Sequence, residues 1–314
     1  MAPLPLVYVH GAGPQAPAAA FKDEADRLIF GRKMSTTSVA HYAGVRWPPP
    51  TGGGPSAAPR RSDRRRRVTA IRAAMEPQIP AKAAAAGIVA ATLASPGPTG
   101  LGAAPAGPPP SAADIDEATK LVTLLYKEAD KIAERSPVKR RGTALGVTFP
   151  DPIFRFVVGK FASDVIDYLY GPFTEAMRAP VRKALLKPPT PKVIVAHSLG
   201  TIITYDVLSE TGLSGLDVDL LVTLGCPLGI GNVQNRLRDR AGRPNPVPTS
   251  LTAWRNFGDR FDPVALELTL RDEFEPPKNF GKDDEVNNLA RNNHDLAGYL
   301  SIAMIRSAIA TAAG

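Results

Sequence analysis

The residues best suited to chemistry in this chain are one serine, a few histidines and a set of late aspartates. Ser198 lies in Val193-Ile194-Val195-Ala196-His197-Ser198-Leu199-Gly200-Thr201, where an apolar strand-like run meets a helix-like run with almost no spacer. A serine on such a turn projects its hydroxyl above a sheet edge. The residues two before and two after it come close together, so both must be small. Ala196 and Gly200 occupy those places, one residue type away from the G-x-S-x-G spacing of a nucleophile turn. The following helix aims its N-terminal N–H groups and positive end at the same point. A serine that merely caps a helix is the plainer reading, but the whole strand, small-residue turn and helix favour a nucleophile. Metal chemistry has no support, because four histidines and the single Cys226 show no ligand spacing. Covalent chemistry at a serine needs no cofactor.

The elements that must position Ser198 follow from hydropathy. Leu4 to His10 reads as a first strand, ended by Gly11-Ala12-Gly13-Pro14. Phe21, Ala25, Leu28 and Ile29 share one helical stripe, and Ser38 to Val45 reads as a second strand. Helical spacing returns over Phe154 to Leu169 and Phe173 to Leu186. Lys192 to Ala196 is a continuously apolar strand of the kind parallel sheets bury, Leu199 to Leu208 a helix, and Leu220 to Leu224 and Leu251 to Phe257 further strands. Leu296 to Ala312 reads as one final helix. Alternation of strand and helix predicts an α/β fold with a mainly parallel sheet flanked by helices. The whole chain, 1–314, is expected to form one domain.

Pro48 to Arg141 differs and reads as an insertion within that domain. Pro48 to Pro59 and Ser95 to Pro110 are Pro/Gly/Ala-rich and read as mobile. Arg60 to Arg67 is a basic run, and Pro80 to Ala94 an Ala-rich helix. Ser111, spaced to Asp114 like a capping box, opens a longer helix with Ile115, Ala118, Val122 and Leu125 on its stripe.

With 314 residues and 44% hydrophobic content the chain can bury a sizeable core. Its formal charge of +8 favours anionic neighbours without identifying one. One cysteine permits no internal disulfide and fits a reducing cytoplasm. Met1 to His10 lacks a basic n-region, and Ala83 to Ala94 is too short and too rich in small residues to span a bilayer. A soluble cytoplasmic protein is therefore expected; its oligomeric state is not legible.

The segment Ala196-His197-Ser198-Leu199-Gly200-Thr201 resembles the nucleophile turn of bacterial lipase/esterase-type α/β-hydrolases. Leu221 to Gly229 resembles the strand and turn that follow in that group. The resemblance covers the first strand and most of Phe154 to Gly314, and it implies a serine hydrolase acting on a carboxylic ester. Thioesterase, amidase or acyltransferase chemistry on the same triad, or a non-catalytic binding protein, are the alternatives. In this fold the acid and then the histidine follow the serine in chain order. Of the four histidines only His294 follows the turn, because His10 and His41 precede Ser198 and His197 adjoins it, its side chain directed elsewhere. The resemblance of Asp262-Pro263-Val264 to the usual acid turn points to Asp262, with Asp259 as rival. Asp283, Asp284 and Asp295 read as solvated loop charges. Two oxyanion donors are implied: the N–H of Leu199 and, from the likeness of Tyr8 to Gly13 to a His-Gly oxyanion turn, the N–H of Ala12. Gly11, Gly13 and His197 are expected to contact substrate. Gly11 to Ala16 also fits a dinucleotide pattern, but Pro14 interrupts it and no acidic residue lies near Gly44 to hold a ribose.

The insertion is expected to act as a lid, its Ala-rich helix burying an acyl chain and its Arg60–Arg67 run meeting an anionic lipid surface; a solvated loop is the plainer reading. No aromatics interleave with the arginines, which disfavours nucleic acid.

Overall fold

The computed structural model describes residues 4–47, 61–76, 78–94, 109–135, 153–210, 216–241, 245–275, 280–290 and 292–314. Its centre is a six-stranded, all-parallel sheet in the order β2-β1-β3-β4-β5-β6. The strands are β1 (Leu6–Val9), β2 (Thr37–Ala40), β3 (Val193–His197), β4 (Leu220–Leu224), β5 (Trp254–Asp259) and β6 (Lys282–Val286). Side chains alternate across it as the pleat requires. Leu6, Tyr8, Val193 and Val195 join one apolar layer, with Val7, Val9, Ile194 and Ala196 in the other. Burial on both faces explains why β3 and β4 are apolar at every position but His197 and Thr223.

On the first face lie α1 (Ala18–Phe30), α9 (Leu296–Leu300) and α10 (Ala303–Ala313), contributing Phe21, Ile29, Tyr299, Ile305 and Ile309. The other face is covered by α5 (Ile153–Leu169), α6 (Thr174–Leu186), α7 (Leu199–Leu208) and α8 (Gly231–Ala241). Outside α5 pack α2 (Arg61–Ala74), α3 (Ala81–Leu93) and α4 (Ala112–Arg135). The chain runs from β1 outward to β2, then returns to the opposite side of β1 to lay down β3. The carboxyl ends of β1 and β3 therefore flank the point where strand order reverses, the place such sheets bind ligands.

Several expectations change. The second strand is shorter than Ser38 to Val45, because a 3-10 turn at Ala43–Val45 replaces its end. Ser111 does cap α4: its Oγ accepts the Asp114 N–H at 3.1 Å, and Asp114 accepts the Ser111 N–H at 2.9 Å. Ile115, however, is exposed and leaves the buried stripe to Ala118, Leu121, Val122 and Leu125. The final helix breaks into α9 and α10 at Ser301-Ile302.

Strand β6 was hidden by its charge. Its Lys-Asp-Asp-Glu-Val sequence lacks an apolar run, as suits an edge strand. Asp283 and Asp284 are not solvated loop charges: Asp284 is buried against Arg255 at 2.6 Å, and Asp283 accepts from Asn256 and the Leu270 and Arg271 N–H groups. Asp295 is exposed, as expected.

The basic run is also not a loop. Residues 61–67 open α2, which buries Arg67, Ile71 and Ala74 on one stripe, while Arg65 and Arg66 stay exposed. Arg67 donates to Asp167 at 2.7 Å and to the Thr92 carbonyl at 3.2 Å. Arg155 binds Asp130 through two 2.6 Å contacts and reaches the Glu76 and Ile79 carbonyls, fastening the outer helices to α5. Arg60 and the flanks at 48–60 and 95–108 fall outside the described residues. Among the described residues no helix is long and apolar enough to cross a membrane.

Candidate active site

Ser198 terminates β3 with φ 54° and ψ −128°, a conformation a non-glycine residue holds only when its surroundings enforce it. The enforcement is visible. Its N–H donates to the Leu224 carbonyl at 3.0 Å, and its carbonyl accepts the Thr201 N–H at 2.9 Å and the Thr201 hydroxyl at 2.7 Å. Ala196 is fully buried beside Val9 of β1. A Cβ on Gly200 would lie 2.4 Å from the His10 carbonyl oxygen, so only glycine fits there. The small residues read from the sequence are thus imposed by strand β1 passing under the turn.

Ser198 Oγ lies 2.7 Å from His294 Nε2, and His294 Nδ1 lies 2.8 Å from Asp262 Oδ2. Three side chains separated by up to 96 residues form one hydrogen-bonded line. Asp262 is buried at 1% exposure, and burial alone would raise its carboxyl. The charge and hydrogen bond of His294, the Val264 N–H at 2.8 Å and the Tyr299 hydroxyl at 2.8 Å outweigh burial and hold it below the ordinary carboxylate value. An ionised Asp262 fixes the proton of His294 on Nδ1 and leaves Nε2 free to accept from the serine hydroxyl.

Asp259, the rival acid, does not reach His294. It accepts the Phe261 and Asn288 N–H groups at 2.8 Å each and the Asn293 amide at 3.1 Å, so it shapes the loop that carries His294. Arg260, next to it in the chain, pairs with Glu285.

The turn after β1 closes the other side. The Gly11 carbonyl accepts from His10 Nδ1 at 2.9 Å and from the Tyr42 hydroxyl at 3.0 Å. In a trans peptide the N–H points opposite to the carbonyl, so the Ala12 N–H points away from those anchors. The Gly13 N–H is committed to Asp164 Oδ2 at 2.6 Å. A Cβ on Gly11 would sit 3.0 Å from Ser198 Cβ, which places this backbone against the serine. Leu199 is the first residue of α7, where backbone N–H groups lack intrahelical partners.

His197 is not turned away from the site. Its ring lies 4.8 Å from that of His294, and its Nε2 donates to the His294 carbonyl at 2.9 Å. Burial first, then the neighbouring His294, lowers its pKa to about 3, so it is a neutral brace. Burial also lowers His10 to about 3; its Nε2 accepts the Tyr42 and Ala43 N–H groups.

The sequence reading missed Tyr299 and Gly225. Tyr299 lies on α9, five residues beyond His294, and no motif marks it. Gly225 follows β4 with φ +55°, and a Cβ there would lie 2.7 Å from Asp262 Oδ2. It falls within Leu221 to Gly229, but nothing local in the sequence shows what it must admit.

A cavity of about 390 Å³ opens over Ser198 and His294. Phe21, Ala25 and Leu28 of α1 and Leu296 and Leu300 of α9 form one wall; Phe156, Val157, Lys160 and Phe161 of α5 form the other. Gly11, Ala12 and His197 line it, whereas Gly13 is turned toward Asp164. No described residue of α2, α3 or α4 lines it. The Ala-rich α3 buries Ala84, Ala85, Ile88 and Val89 among its neighbouring helices, so it does not provide the expected acyl-burying surface. Its small side chains let helices approach closely; α5 supplies the wall.

Among the described residues no group of three His, Cys, Asp or Glu side chains is placed to hold a metal ion. Cys226 is buried, donates to Thr201 at 3.2 Å, and is pushed up to about 12 by burial. No family model, no curated protein and no solved structure matches this chain.

Proposed function

We propose that the chain is a serine hydrolase of the α/β-hydrolase type that cleaves a carboxylic ester through Ser198, His294 and Asp262. The observation that carries this reading is the continuous line Ser198 Oγ, His294 Nε2, His294 Nδ1, Asp262 Oδ2, with contacts of 2.7 and 2.8 Å at the mouth of a cavity. A strained serine at a strand-to-helix turn, and an acid and a histidine that follow it in chain order after later strands, support the same fold type.

The chemistry follows. Ser198 Oγ attacks the ester carbon while His294 Nε2 takes its proton. The resulting imidazolium is stabilised by ionised Asp262, itself held by Tyr299 and the Val264 N–H. The oxyanion is received by the Leu199 and Ala12 N–H groups, each worth about 10²–10³ in rate. The proton then passes to the departing alcohol, and water activated by His294 releases the acid from the acyl-enzyme. Thioester, amide and acyl-transfer reactions use the same steps, so a panel of p-nitrophenyl esters of rising chain length, with a thioester and an anilide, selects among them. The decisive experiment is labelling with a fluorophosphonate probe. Wild type is expected to be labelled on Ser198 and to hydrolyse esters, and Ser198→Ala to do neither. Wild-type hydrolysis by pure Ser198→Ala protein, or unlabelled and inactive wild type, would overturn the reading.

A further inference from the structure

Among the described residues the cavity over Ser198 is lined by one lysine or arginine, Lys160, which the proposed chemistry does not use. Lys160 lies on the wall formed by α5, half-buried, with its Nζ 5.0 Å from the Phe156 ring centroid. Its Cε and Nζ lie 3.3 and 3.8 Å from the point where a Cβ of Gly13 would project. The ammonium is therefore packed against the turn that presents the Ala12 N–H. Among the described residues no carboxylate lies within 4.0 Å of it. Buried Asp164, one helical turn on, feels the Lys160 charge, but its oxygens are taken by the Gly13 N–H at 2.6 Å and the Trp47 indole at 3.0 Å. Glu24 and Asp295 also line the cavity, but both are exposed to water, which screens them.

We propose that Lys160 binds an anionic group on the substrate, so that the ester cleaved at Ser198 is a negatively charged one. The proposal rests on the hydrolase reading for the cleavage step but not for the binding. A half-buried ammonium with no carboxylate in direct contact gains from a ligand that supplies one, and a charge-assisted hydrogen bond is about twice as strong as a neutral one. Gly11 abuts Ser198 and Gly13 abuts Lys160, and two residues of chain with the contacts at either end limit the separation of the two side chains to about 14 Å. One small ester can therefore reach both. Phe156, Val157 and Phe161 beside Lys160 suit the intervening chain or ring. The formal charge of +8 draws anions toward the protein as a whole.

The test uses matched pairs that differ only in charge: 4-acetoxybenzoate against its methyl ester, and mono-(4-nitrophenyl) glutarate against its methyl ester. Binding is measured by calorimetry to full-length Ser198→Ala protein, which needs no turnover, and kcat and KM are measured with wild type. In at least one pair the anionic ester is expected to bind about tenfold to a hundredfold more tightly. Adding Lys160→Met is expected to abolish that ratio, Lys160→Arg to keep most of it, and Lys160→Glu to invert it, with the wild-type preference residing in KM. 4-Acetoxyphenyl phosphate, compared with the benzoate, reads whether phosphate or carboxylate is the better anion. Equal binding within both pairs, or a preference that survives Lys160→Met, would overturn the proposal. If Ser198→Ala discriminates by charge but wild type hydrolyses neither ester, the hydrolase reading fails and the anion site stands. If both esters turn over at equal rates and bind equally, the reverse holds.

Discussion

Gly225→Ala tests the site at a residue that performs no chemistry. Gly225 has φ +55°, and an added Cβ would meet Asp262 Oδ2 at 2.7 Å, His294 Nδ1 at 3.1 Å and the Tyr299 ring at 3.2 Å. Ordinary contact begins near 3.4 Å. The carboxylate must then retreat by about 0.7 Å, which takes its 2.8 Å bonds to His294 and Tyr299 to the edge of hydrogen-bonding range. A displacement on the order of 1 Å in a catalytic constellation costs about 10²-fold, and losing the acid's control of the histidine tautomer about 10⁴-fold. The expected fall in kcat/KM lies between those limits, about 3 to 5 kcal/mol of transition-state stabilisation. Folding should suffer less, by about 1–2 kcal/mol for forcing a side chain into left-handed backbone. The assay is ester hydrolysis together with the rate of fluorophosphonate labelling and a thermal melt. Gly87→Ala is the control: its Cβ would meet nothing within 4 Å, and in the middle of α3 it should add about 0.5–1 kcal/mol of stability at unchanged activity. Wild-type kcat/KM in a folded Gly225→Ala protein would refute the placement of Asp262 against His294.

Three further outcomes follow from the same contacts. Tyr299→Phe removes a hydroxyl donor that helps hold the Asp262 carboxyl down, so Asp262 should protonate at higher pH and the acid limb of the kcat/KM profile should move up with it; a superimposable profile would show that the hydroxyl has no bearing on Asp262. His10 and His197 are both held near 3 by burial, against about 6.5 when unfolded. Below pH 6.5 the unfolded chain takes up protons that the folded chain refuses, so stability should fall with pH by about 1.4 kcal/mol per unit for each histidine and show no such slope from them above 6.5; urea melts at pH 7, 6 and 5 read this, and equal stability at pH 6 and 5 contradicts it. Arg67→Met leaves the buried acids Asp164 and Asp167 short of one cation and should cost about 3–5 kcal/mol, lowering Tm by about 6–20 °C; a shift under about 2 °C would show the pair to be unimportant.

The sequence by itself determined what depends on near neighbours in the chain. The small residues around Ser198 reveal the turn because the strain is local, and the apolar runs of β3 and β4 and the Ser111 cap follow from short-range patterning. Chain order narrowed the candidate base to His294 for want of another histidine after the turn. Long-range packing decided the rest. Asp259 and Asp262 lie three residues apart at the end of one strand, and only the fold directs one carboxylate to a histidine and the other to the loop carrying it. Tyr299 and Gly225 matter for what stands opposite them, which no local pattern encodes. Strand β6 and the buried Arg67 stayed hidden because their charges are satisfied by Arg255 and Asp167, distant in the chain, so polar sequence looked like solvated sequence. For the same reason the Ala-rich helix looked like a wall for substrate, whereas its small side chains serve helix packing. The cavity wall belongs to α5, whose Lys160 could be read as a site residue only once the turn after β1 was folded against it.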